Sequence, residues 1–192
     1  MIKQILLSLC LFVIISSPCA QDNIEDSGYL LWGKKLKWED FQGEIPKNSE
    51  FDALTHSAIS LNFDGANVTL NFNIQTVFSP VDSWKKVGVD DYILKHEQIH
   101  FDITEYHSRL LRKKLKTHKF KSFADVEPDV MRIFNEASEA ANIMQVKYDK
   151  DTNHSIDRKK QAKWNAKVKK LLSKTSSYKK TSFKVSIAYL TH

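Results

Sequence analysis

From Ile59 onward the chain alternates apolar and polar side chains: Ile59, Leu61 and Phe63 with Ser60, Asn62 and Asp64. After Gly65-Ala66-Asn67 the alternation resumes, with Val68, Leu70, Phe72 and Ile74 set against Thr69, Asn71, Asn73 and Gln75. A period of two sends one set to each face of a strand, so the segment predicts a β-hairpin with one buried face. Its turn is expected to contain Asp64-Gly65, and Ser79-Pro80 ends it. The period then changes. Ile99, Ile103, Tyr106 and Leu110 recur at helical spacing, predicting a helix that opens at Asp90-Asp91, with Asp90 as cap, and runs to about Lys116. A second helix is expected from near Asp125, with Pro128 tolerated in its first turn. Its inward stripe is Val130, Ile133, Phe134, Ala137, Ala141, Met144 and Tyr148. A third spans about Ile156 to Leu172 and turns Trp164, Val168, Leu171 and Leu172 inward. Phe183, Val185, Ile187 and Tyr189 alternate again as a last strand. Tyr29 to Gly43, rich in aromatics, reads as an irregular segment docked on the core, with Trp32 and Trp38 as packing residues. Strands followed by helices, without regular β-α alternation, point to an α+β fold.

Composition narrows the class. With 192 residues, 42% hydrophobic, and only 5 Gly and 4 Pro, the chain is neither disordered nor collagen-like nor a multi-pass membrane protein. Residues 1–20 stand apart: Lys3, an apolar run from Ile5 to Ile15, then Ser16-Ser17-Pro18-Cys19-Ala20. This reads as a secretory signal peptide cut after Ala20, leaving residues 21–192 as a single exported domain, periplasmic, cell-surface or secreted. The apolar run is shorter than the ~20 residues a membrane span needs; a lipid-anchored start at Cys19 is the other possibility. Both cysteines, Cys10 and Cys19, lie in this segment, so the remainder offers no disulfide, thiolate metal site or cysteine nucleophile. The formal net charge is +6, with lysines concentrated from Arg109 to Lys121 and from Lys147 to Lys184. In an exported chain without interleaved basic and aromatic residues, that pattern means a solvated face or attraction to an anionic cell surface rather than nucleic-acid binding.

The candidate chemistry lies in the first helix, at His96-Glu97-Gln98-Ile99-His100. Histidines at i and i+4 share one helix face and can bind one tetrahedral Zn²⁺, while the Glu reaches the attacking water. The metal lowers that water's pKa and Glu97 takes its proton as general base. Both histidines border the apolar stripe, where two imidazoles need a reason; satisfied core histidines are the alternative to a shared metal. His107 shares that face, but no Gly breaks the helix to fold it back, so it reads as a packing or surface residue. Asp102 and Glu105 lie round from the metal face.

The run Leu94-Lys-His-Glu-Gln-Ile-His-Phe-Asp-Ile-Thr-Glu105, with Met144-Gln, Tyr148-Asp149 and Thr152-Asn153-His154-Ser155 after it, resembles a family of exported bacterial proteins of unknown function grouped with the zincin-type zinc peptidases. Leu36 to Phe41, Ser83-Trp84 and Trp164 are similar to other parts of it, so the resemblance covers about Trp38 to Trp164. It implies a zincin-like secreted metalloprotease fold. By the same resemblance, a sheet-edge strand above the metal helix holds an extended peptide or protein substrate of the cell envelope, and the hairpin Ile59–Ile74 is the expected source of that strand. A metal-stabilised envelope binding protein without turnover is the competing expectation.

Zinc needs a third protein ligand. If the first two helices form an antiparallel hairpin, positions near 140–144 face His96 and His100. Glu136 and Glu139 lie off the second helix's inward stripe. Tyr148 lies on it, and the polar turn Asp149 to Asn153 is expected to bring His154 back over the site. His154 is therefore the expected ligand, Glu139 the next candidate, and Tyr148 the expected donor to a developing oxyanion. A His154 that steadies the oxyanion without ligating is the remaining option.

Overall fold

A computed structural model describes residues 28–191. The signal-peptide reading falls outside them. Strand β1 (Leu30–Leu31) is followed by β2 (Ala53–Leu54), the long hairpin β3 (Ser57–Ala66) and β4 (Thr69–Phe78), and β5 (Trp84–Lys85). Helices α1 (Asp91–Thr117), α2 (Val126–Thr152) and α3 (Arg158–Lys174) come next, then β6 (Ser182–Ser186). The architecture is α+β, a small antiparallel sheet carrying three helices.

β4 is the central strand. Along one side it pairs with β3, from Ser57 opposite Phe78 to Ala66 opposite Thr69. Along the other it pairs with β1 at one end and β6 at the other. The turn is Asn67-Val68, three residues later than the sequence suggested, and Asn67 takes φ 55°. Asparagine tolerates that left-handed conformation, whereas Gly65 pairs with Leu70 inside the ladder. Leu70, Phe72 and Ile74 of β4 and Ile59 of β3 pack against Leu111 and Leu115 of α1 and Val130, Ile133 and Phe134 of α2. Alternation with one covered face is the expected signature of such a sheet.

α1 starts where sequence placed it, the Asp90 carboxylate accepting from the N–H groups of Tyr92 and Ile93 at 3.0 Å each. Unlike an ordinary surface helix it is buried nearly all round, because the sheet, α2 and α3 each cover part of it. Several of its polar residues are paired inside. Glu105 binds Arg109 at 2.7 Å and Arg112 at 3.0 Å, and accepts from Thr76 of β4 at 2.7 Å. Asp102 accepts from Trp32 Nε1 at 2.8 Å, which docks the aromatic N-terminal segment. A second core, entirely helical, joins Ile99 and Ile103 to Tyr148, Trp164 and Val168. Among the described residues no helix is long and apolar enough to cross a membrane.

Candidate metal centre

α1 and α2 run antiparallel, as the pairs His100–Gln145, His96–Asp149 and Lys114–Glu136 fix. This register brings Gln145 and Asp149 opposite the two histidines, one turn beyond the 140–144 window read from sequence. His96 Nε2, His100 Nε2 and Asp149 Oδ1 form a triangle with sides of 3.2, 3.1 and 3.0 Å. A tetrahedral cation about 2.0 Å from each atom separates its ligands by about 3.3 Å. The triangle has that size. Two imidazole nitrogens with one carboxylate suit a borderline ion such as zinc rather than calcium, which takes six or more oxygens at longer range.

Each imidazole is held by its far nitrogen. His96 Nδ1 lies 2.8 Å from Gln161 Oε1 of α3, and His100 Nδ1 lies 2.6 Å from Gln145 Oε1 of α2. Gln145 has its amide direction set, since its Nε2 donates to the His100 carbonyl at 2.9 Å and to Thr104 Oγ1 at 3.1 Å. An amide oxygen facing Nδ1 requires a proton there, which leaves the Nε2 lone pair facing the triangle. Partners of this kind orient metal-binding histidines. Thr104 also meets Ser57 Oγ of β3 at 2.7 Å, so the hydrogen-bond chain reaches the sheet.

Charge points the same way. Burial works against a charged His100, but the Asp149 carboxylate, helped by Glu97, outweighs it and lifts the imidazole to about 9. Burial likewise works against the Asp149 anion, yet His100 and His96 hold it far below the usual carboxylate range. The cluster demands positive charge at its centre, which a proton or a metal ion supplies. Glu97 is buried at 3% exposure and its Oε2 has no hydrogen-bond partner. A cleft of about 460 Å³ opens over these residues, walled by Glu50 to Ile59, by the Phe134–Asp149 face of α2 and by His154 to Ile156. No Lys or Arg lines it. The imidazoles of His96 and His100 are thus the basic groups that face Glu97 and Asp149 in the cleft.

Two sequence expectations are corrected. His154 is not in the triangle; Asp149 stands there instead. α2 continues helically to Thr152, so Asp149 is still on the helix face toward α1. The chain then turns through three left-handed residues, Asn153, His154 and Ser155, at φ 48°, 50° and 75°. That turn leaves His154 exposed at the cleft rim, its ring 4.7 Å from Phe51. Tyr148 does not face the cleft. It is fully buried beneath His96, rings stacked at 4.5 Å, and donates to the His96 carbonyl at 3.3 Å while accepting from Gln161 Nε2 at 2.5 Å. Burial, opposed by the Gln161 bond, pushes its phenol above the usual range. Tyr148 is a platform for His96 and offers no proton to the cleft. Glu136 and Glu139 are exposed, and Glu136 pairs with Lys114 and Arg132. His107 is buried with Nε2 unpartnered.

What sequence reading missed was Asp149, Gln145 and Gln161. The available signal was Gln145 and Asp149 at i and i+4, mirroring His96 and His100 across an antiparallel pair.

Residues 78–155 match the family described as "Bacterial protein of unknown function (DUF922)". The DUF922 segment holds the whole triangle and ends on the left-handed turn, whereas Gln161 and β3 lie outside it. No curated protein and no solved structure matches the chain.

Proposed function

We propose that this protein is a zinc-dependent hydrolase with a zincin-like site, exported by its N-terminal segment and acting on peptides of the cell envelope. His96, His100 and Asp149 would hold the metal. The observation that carries the reading is Glu97: a buried carboxylate with an unpartnered oxygen, one residue from a ligand and in the same cleft. A buried anion without a partner costs several kcal/mol unless function or a cation compensates it. Zinc bound there would supply Lewis acidity, lowering a water's pKa and polarising a carbonyl. Glu97 would accept the proton of the attacking water and return it to the leaving amine. Among the described residues β3 pairs with β4 alone, and Ser57 to Ile59 at its start line the cleft. An extended peptide can add to such an edge through backbone hydrogen bonds.

The test pairs metal content with turnover. The purified protein is expected to carry one zinc per chain and to cleave an unstructured protein such as casein. Glu97→Gln should keep the metal and lose roughly three orders of magnitude in kcat. Asp149→Ala should lose both. A wild-type protein that holds zinc but cleaves nothing would instead leave a metal-stabilised binding module.

A further inference from the structure

The charge of this chain is segregated in a way the metal site does not use. All 23 acidic residues lie at or before Asp157, against 18 Lys and Arg in the same stretch. The remaining residues contain eleven Lys and Arg and no acid. All eleven side chains are exposed, and among the described residues none forms an ion pair. Two lie over aromatic rings, Arg158 on Tyr92 and Lys167 on Trp164.

On α3 the arrangement is regular. Gln161, Trp164 and Val168 are buried against the rest of the fold. Lys159, Lys163, Lys170 and Lys174 fall on the opposite side, within about 60° of one another at 100° per residue. They form a stripe about 22 Å long, with Lys167 beside it. Lys179, Lys180 and Lys184 follow in the next turn and in β6. Unpaired like charges at this density repel one another and weaken the folded state, so a solvated surface has no use for their concentration.

We propose that the exposed lysine face of α3 docks on an anionic phospholipid membrane. Ten of the eleven cations are lysines, compact charges that suit diffuse attraction to headgroups rather than the forked recognition arginine gives. The face presents no exposed aromatic or large aliphatic side chain between the lysines of the stripe, so it neither stacks bases nor inserts into acyl chains. Each lysine near an anionic leaflet adds to that attraction. No lysine or arginine lines the cleft, so the basic face and the cleft are built from different residues.

The test is co-sedimentation of the full chain with vesicles of phosphatidylcholine containing about 30% phosphatidylglycerol, against pure phosphatidylcholine. The apolar Ile5–Ile15 run contributes alike to both lipids, so the difference reads the charged face. Binding to the anionic vesicles should exceed the neutral baseline roughly tenfold or more at about 50 mM salt and fall to it by about 300 mM. The variant K159Q/K163Q/K170Q/K174Q should lose the excess while keeping its melting temperature, and the matching Lys→Arg variant should retain it. The proposal is overturned if anionic vesicles gain no excess, if the Gln variant binds undiminished, or if duplex DNA in the same buffer is bound more tightly than the vesicles.

Discussion

His107 shows how much one side chain inside α1 can decide. Burial pulls its imidazole down to about 4, from 6.5. The unfolded chain therefore binds a proton in a range where the folded chain does not. Stability that is fully present above 6.5 is lost as the pH falls toward 4, by up to about 3 kcal/mol. His107→Leu, similar in bulk and without a titrating group, should flatten this acid slope. Thermal melts between pH 7 and pH 4 with chelator present measure it; identical slopes would refute the assignment. Glu97, also buried in α1, differs in lining the cleft, and its unpartnered oxygen is the feature on which the proposed chemistry rests.

At the scale of elements, each helix brings a different part of the centre: α1 both imidazoles, α2 a carboxylate and one orienting amide, α3 the other. Gln161→Leu should weaken zinc binding about 10- to 100-fold with the helices intact, and Gln161→Glu, which keeps an acceptor for His96 Nδ1, should restore most of it. Competition against a fluorescent zinc chelator gives both values. The helices, the hairpin and the His96–Glu97–His100 motif were legible because each rests on local periodicity or spacing. Asp149 was not, since its role depends on how two helices register and on α2 continuing to Thr152. Its neighbour Tyr148 matched the apolar stripe and drew attention, yet lies under the site. The polar run Asp149 to Asn153 looked like a turn, though all but Asn153 is helical.

For the whole molecule, metal loading should reverse the sign of its alkaline pH dependence. Without metal, a His100 raised to about 9 contributes stability that is complete below 6.5 and is lost as the pH rises through 9. With zinc, the ligands must be deprotonated, so binding strengthens as the pH rises. Melting temperatures from pH 6.5 to 9.5, with chelator and with saturating zinc, should diverge steadily; parallel curves would mean the cluster holds no metal. The triangle also joins residues 53 apart, His96 and Asp149, in a chain whose only cysteines lie in its first 19 residues. Closing a loop of that length restrains the unfolded chain by about 4 kcal/mol in the entropic account of cross-links. The ion would thus take the place of a disulfide, as a clasp governed by free zinc and indifferent to the redox state of its surroundings.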